Sequence, residues 1–217
     1  GTQNGLNRYD ARRFKTYKHT SAGKLNNGNN DYITCLLHDS YKNLWVGTRN
    51  GLSKYDPQKD HLQEVKIHPL STNNNLKISC IYEDRQKRIW VWTSSGLYVL
   101  SDRAKNAFKA IKLPIRLTSA ENDSKGTVYQ DSKGFFWLGT PLGLIKVTYG
   151  KEKTSYQYYQ HDSDNEHSIS DNYVTSITED LEHHLWVGTQ QGLNLLYPDS
   201  HTFKRYKSTN TAGLLND

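Results

Sequence analysis

The sequence predicts an all-β fold: a β-propeller of four-stranded antiparallel blades, four complete and one partial. Three observations lead there. Trp45, Trp90, Trp137 and Trp186 each stand six residues before a Gly-Leu pair, in the segments WVGTRNGL, WVWTSSGL, WLGTPLGL and WVGTQQGL. Those tryptophans are 45, 47 and 49 residues apart, a period typical of repeat architectures. Each period also divides into four short runs of strand character separated by turn residues. A fifth copy opens the chain as Gly1-Thr2-Gln3-Asn4-Gly5-Leu6.

The elements of one repeat can be read from the copy at 172–206. Tyr173 to Asp180 alternates and is β-branched, which marks a first strand. Leu181 to His184 turns the chain. Leu185 to Thr189 is a second strand. Gln190-Gln191 is a tight connection closed by Gly192, which takes positive φ at little steric cost. Gly192 to Tyr197 is a third strand, Pro198 to His201 a turn, and Thr202 to Lys207 a polar-alternating fourth strand. The first strand recurs from Tyr32 and from Lys77, the third from Gly51 and Gly96, and the fourth from Ser155. In the third copy Lys125-Gly126 replaces the Ile-Thr or Val-Thr seen elsewhere, so its first strand is expected to begin late. One blade cannot bury both faces and has to stack on neighbours. The tryptophan is the filler between blades, contributing roughly 2–3 kcal/mol on burial.

The expected organisation is a single propeller segment over 1–217: a partial blade at 1–29, blades at 30–75, 76–121 and 122–170, and a blade with the start of the next at 171–217. The first copy begins inside strand two, and the last residues align with the end of a repeat. An arc of a larger propeller is expected, or a ring with an open wedge whose edge could pair with another chain.

Composition agrees with a β-rich protein. Hydrophobic residues make up 35% of the chain, and fifteen tyrosines and five tryptophans outnumber five phenylalanines, which suits half-buried ring positions. The net charge of +6 comes from 28 basic and 22 acidic residues that are interspersed, with no block of five like charges. The pattern fits solvated strand faces and not a nucleic-acid stripe. No hydrophobic run approaches a membrane span. Cys35 and Cys80 occupy the same position in successive repeats, a spacing read as too wide for a disulfide, so both are expected to be small buried free thiols.

The WVGT-x-x-GL segments, followed by Tyr-Asp at Tyr55-Asp56 and Tyr9-Asp10, resemble the two-component regulator propeller repeat. The stretch from His161 to Asp180, followed by Leu185-Trp-Val-Gly-Thr189, is similar to that repeat almost throughout. The resemblance implies the periplasmic sensor region of a Bacteroidetes hybrid two-component protein, located in the periplasm. Such sensors carry further blades, a membrane helix, a histidine kinase and a receiver outside this segment. The implied role is recognition of a glycan-derived ligand or packing of a sensor dimer, without catalysis and without a cofactor. The implied partners are an oligosaccharide, a second copy or further blades. The membrane enters only through a downstream region. The alternatives are a lyase-type propeller enzyme and a protein-interaction scaffold. Trp92 departs from the pattern, standing where Gly47, Gly139 and Gly188 stand.

No motif carries catalytic or metal chemistry. There is no HExxH, CxxC, GxSxG or P-loop, and the adjacent His183 and His184 lie in a turn. Asp162-Ser-Asp164-Asn-Glu166 resembles the start of a calcium loop, but His167 and Tyr173 occupy the positions that require Gly and Glu. A polar interblade loop accounts for it. Asp39, Asp84, Asp131 and Asp180 each follow strand one and are read as turn formers that accept backbone amides. Strands one and two are antiparallel, so the strand two–three turns gather at the same end as the interblade loops. Arg49-Asn50, Ser94-Ser95, Gln190-Gln191, Asn74-Asn75, Asp123 and Asp171-Asn172 are therefore the candidate ligand residues, because amides and carboxylates suit sugar hydroxyls. Trp92 joins them as a ring able to stack on a sugar or, alternatively, to fill space left by a small neighbour.

Overall fold

The structure is a computed structural model and describes residues 1–18, 31–68, 76–113, 126–149, 154–197 and 200–206. A hairpin, β1 (Leu6–Tyr9) and β2 (Phe14–Tyr17), is followed by four sheets of four strands. The first blade holds β3 (Ile33–His38), β4 (Leu44–Thr48), β5 (Gly51–Asp56) and β6 (His61–Val65). The second holds β7 (Ile78–Glu83), β8 (Ile89–Thr93), β9 (Gly96–Asp102) and β10 (Ala107–Ile111). The third holds β11 (Thr127–Gln130), β12 (Phe136–Thr140), β13 (Gly143–Tyr149) and β14 (Thr154–Tyr159). The fourth holds β15 (Val174–Glu179), β16 (Leu185–Thr189), β17 (Gly192–Tyr197) and β18 (Thr202–Tyr206). Strands pair antiparallel in chain order within every sheet, and no α-helix occurs among the described residues. The blade architecture expected from the repeat is the one found. β11 is shorter than its counterparts and begins at Thr127, later than they do, as Lys125-Gly126 suggested. The chain forms two compact units. Residues 1–124 carry the hairpin and the first two blades, and residues 125–217 carry the last two.

The recurring threonine of WVGT-x-x-GL has a local task. In each blade its hydroxyl donates to the carbonyl of the glycine three residues on and accepts the amide two residues on, clamping the two-residue turn. The pairs are Thr48–Gly51 at 3.0 Å, Thr93–Gly96 at 2.9 Å, Thr140–Gly143 at 2.8 Å and Thr189–Gly192 at 3.0 Å. The turn glycines sit near φ +130°, from 126° to 134°, where a Cβ would be strained. Thr2 and Gly5 repeat the clamp at 2.9 Å, which identifies the chain start as the same motif.

The strand-two glycine serves packing instead. A Cβ on Gly47 would lie 2.5 Å from Cys35 Sγ and 2.8 Å from Ile78 Cγ2. One on Gly139 would lie 2.6 Å from both Thr127 Cγ2 and Val174 Cγ1. In both units, then, strand one of the following blade closes directly onto a bare backbone. The core lies at these junctions. Trp45, Leu52, Val65, Ile78, Ile81, Ile89 and Tyr98 join the first two blades, and Trp137, Leu144, Tyr159, Val174, Leu185 and Phe203 join the last two.

Candidate functional site

The four strand-one aspartates organise one end of every blade. In each, Oδ2 accepts the indole Nε1–H of the tryptophan six residues on: Asp39–Trp45 at 2.9 Å, and Asp84–Trp90, Asp131–Trp137 and Asp180–Trp186 each at 2.8 Å. Oδ1 accepts the backbone amide four residues on, from Asn43, Arg88, Phe135 and His184, each at 2.8 Å. The turn role was legible in the sequence. The bond to tryptophan was missed, although the constant Asp-to-Trp spacing of six was its signal. Burial raises the Asp39 carboxyl, but the Trp45 and Asn43 donors outweigh it and hold it below its ordinary range. The Trp186 indole is the main cause that lowers Asp180 to about 2.

A second carboxylate clamps blade to blade. Glu83 Oε2 and Oε1 accept the Ser40 amide and hydroxyl, both at 2.8 Å. Glu179 does the same for Ser132 at 2.7 and 2.6 Å. These are charge-assisted bonds at equivalent places in the two units.

The two junctions differ at the corner where the strand three–four turns lie. Asp60, Asn106 and His201 occupy the same left-handed turn position, with φ of 51°, 50° and 57°. Asp60 accepts the hydroxyl of Tyr17 from the preceding hairpin at 2.8 Å and that of Tyr55 at 2.7 Å, and pairs with Lys15. His201 meets the hydroxyl of Tyr159, from the preceding blade, at 3.3 Å. Tyr17 and Tyr159 share a register position, opposite Leu6 and Leu144, and at that position in the first blade Val65 lies opposite Leu52. Asn106 therefore has no tyrosine to meet. Its Oδ1 is the buried side-chain polar atom left without a hydrogen-bond partner among the described residues.

Beside Asn106 a cleft of about 630 Å³ opens, with walls that include Tyr41, Lys42, Lys54 and Tyr55. In the second unit a cleft of about 190 Å³ is lined by Lys133, Phe135, Lys146, Glu179 and His183, and not by His201, the counterpart of Asn106. There Lys146, the counterpart of Lys54, sits 3.9 Å over the ring of Phe135, which stands where the first unit has Asn43.

The sequence-nominated residues lie at the opposite ends of the sheets. The amides of Arg49, Ser94 and Gln190 each bond the carbonyl of the residue before strand one of the same blade, so turns and strand starts do gather there. The Arg49 guanidinium lies 3.8 Å over the Tyr32 ring. The Asn50 amide is held by Thr48, and the Ser95 hydroxyl meets Tyr98 at 2.8 Å. Asp171 caps Tyr173, Asn172 accepts the His161 amide, and Gln190 and Gln191 are exposed. Trp92 is 2% exposed and fills space at its strand-two position. Asn74, Asn75 and Asp123 lie outside the described residues.

The loop from Asp162 to Ser168 is tied by Arg205, which donates to the carbonyls of Asp162, Asn165 and Ser168; these backbone oxygens are committed to the guanidinium. No group of three or more His, Cys, Asp or Glu able to hold a metal occurs among the described residues. Cys35 and Cys80 are free thiols, and burial pushes the Cys35 thiol up to about 12, far from a reactive thiolate.

Successive four-stranded antiparallel blades, wedged on tryptophan within each unit, define a β-propeller protein. The model of the two-component regulator propeller family matches residues 27–50 and 72–94, in two successive repeats. Among solved structures the chain is similar to the extracellular domain of the hybrid two-component system BT4673 of B. thetaiotaomicron, at 24% identity and TM-score 0.71, over 96% of this chain and 25% of that one. It is also similar to PorZ of Porphyromonas gingivalis, a surface component of the type-IX secretion system, at 19% identity and TM-score 0.67 over 96% and 32%. A third likeness is to virginiamycin B lyase of Staphylococcus aureus, at 13% identity and TM-score 0.64 over 96% and 64%. At these identities the likeness is one of fold. The chain spans about a quarter of the BT4673 domain. No curated protein matches the sequence.

Proposed function

We propose that this chain is a segment of the extracytoplasmic sensor region of a hybrid two-component regulator, placed in the periplasm and acting by recognition without catalysis. The observation that carries the reading is the family match at two successive repeats, embedded in four blades built on one plan. The polar side chains of the described residues support it. The recurring carboxylates are spent on indoles, turn amides and the blade clamps, and none is set beside an activated nucleophile.

The ligand in this reading is an oligosaccharide, and its binding shifts packing between blades or between copies. The fourth blade supports a neighbouring layer, either a further blade or a second protomer. Leu193 is 44% exposed, whereas its counterparts Leu52 and Leu144 are 1% and 0% exposed. Calorimetric titration with a panel of neutral and acidic oligosaccharides tests the recognition half. Saturable heat with one class supports it. Turnover of any of those sugars, read by chromatography of the same mixtures, contradicts the non-catalytic half.

A further inference from the structure

We propose that the corner between the first and second blades is a binding site for an anionic sugar unit, held by Lys42, Lys54 and Asn106. This rests on the sensor reading and gives it a place and a ligand charge. Volume is the first support: about 630 Å³ falls within the range of small-molecule sites. Unmet hydrogen bonding is the second. Val65 stands where a tyrosine hydroxyl serves the equivalent turn residue at two other blades, so Asn106 Oδ1 remains an acceptor without a donor. A buried acceptor of this kind favours an occupant that brings a small donor, such as a hydroxyl.

Charge is the third support. Neither Lys42 nor Lys54 has a carboxylate within ion-pair distance among the described residues, while Lys15 and Lys105 do. Lys54 lies 5.5 Å over the Trp45 ring, leaving its ammonium donors for a ligand, and Lys42 is exposed at the rim. Asp56 also lines the cleft, but its Oδ1 is engaged by the Gln58 and Lys59 amides of its own turn. Two ammonium groups against the single Asp56 carboxylate leave the cleft net positive and call for an anion, and the buried acceptor calls for a hydroxyl. The Tyr41 ring, 55% exposed, borders the cleft with the Arg103 guanidinium 4.0 Å over it. A sugar bearing a carboxylate or a sulfate unites these features.

The test is titration calorimetry of the 217-residue chain with tetragalacturonate, a sulfated disaccharide and neutral cellotetraose. An anionic probe is expected to bind at least about tenfold more tightly than the neutral one. Which anionic probe binds separates carboxylate from sulfate. Lys54→Gln and Lys42→Asn (the latter tolerant of positive φ) should each weaken it about tenfold. Lys146→Gln, at the closed corner, should leave it unchanged. Val65→Tyr should abolish binding while keeping a cooperative thermal transition at an equal or higher temperature. Anionic binding that survives Lys54→Gln and Val65→Tyr overturns the placement and leaves the sensor reading standing. Tighter binding of the neutral sugar overturns the charge assignment alone, and heat from none of the probes overturns both.

Discussion

The junction between the first and second blades and that between the third and fourth use the same frame and finish it differently. Both have an aspartate bound to a buried tryptophan, a Ser–Glu clamp, and a strand-two glycine under the first strand of the next blade. Only the second junction closes its corner with a tyrosine on a turn histidine and a phenylalanine under a lysine. The first puts Val65 and Asn43 in those places and keeps an open cleft. The frame therefore suffices to hold a junction, and the corner is free to vary. A binding site can form there without disturbing the packing that makes the blade.

Four perturbations break or sharpen this contrast. The largest effect is expected from Tyr159→Val, which recreates the first junction's corner in the second without the compensations of its neighbours. Loss of the buried ring and its bond to His201 should cost about 2–4 kcal/mol in chemical denaturation. The reciprocal Val65→Tyr should cost nothing, because it gives Asn106 a donor. Next come Gly47→Ala and Gly139→Ala. Each places a methyl under 3 Å from two side chains and should cost about 1–3 kcal/mol at either junction. A large inequality between the two would show that the frames are not equivalent.

Smaller losses, about 1 kcal/mol each, are expected for Glu83→Gln and Glu179→Gln, which remove the charge from a doubly bonded clamp. Matched values in denaturation midpoints would support a shared device. The smallest effect is at acid pH in the fourth blade. Asp180 is lowered to about 2 in the fold, below the value near 4 of an unfolded aspartate. Its stabilisation is therefore complete above about pH 4 and is lost as pH falls toward 2. Tryptophan fluorescence should show a step in that window that is missing in Asp180→Asn.

The fold was legible because a period recurring four times carries its own control. Strand order and the turn glycines followed from the W-x-x-T-x-x-GL segments. The Asp–Trp bond was written in the same register, at a constant spacing, yet its chemistry needed the side-chain direction that only the sheet supplies. The open corner was not legible. Val65 and Asn106 are 41 residues apart in sequence and lie in successive blades, so only the strand alignment relates them. Once the strands are aligned, the column Tyr17, Val65, Tyr159 exposes the exception. The loop residues chosen for their amides were harder to judge. Asn and Ser build turns as readily as they bind ligands, and most of those described are occupied by their own turns.

The most direct measurement of the common frame is hydrogen exchange of the indole Nε1–H protons by NMR. Trp45, Trp90 and Trp137, buried and bonded to aspartate, should exchange slowly together, with half-buried Trp186 faster, and each should lose protection when its own aspartate is changed to alanine. Indole protons that exchange at solvent rates in the native chain, or that ignore removal of their aspartates, would contradict a blade built around that bond.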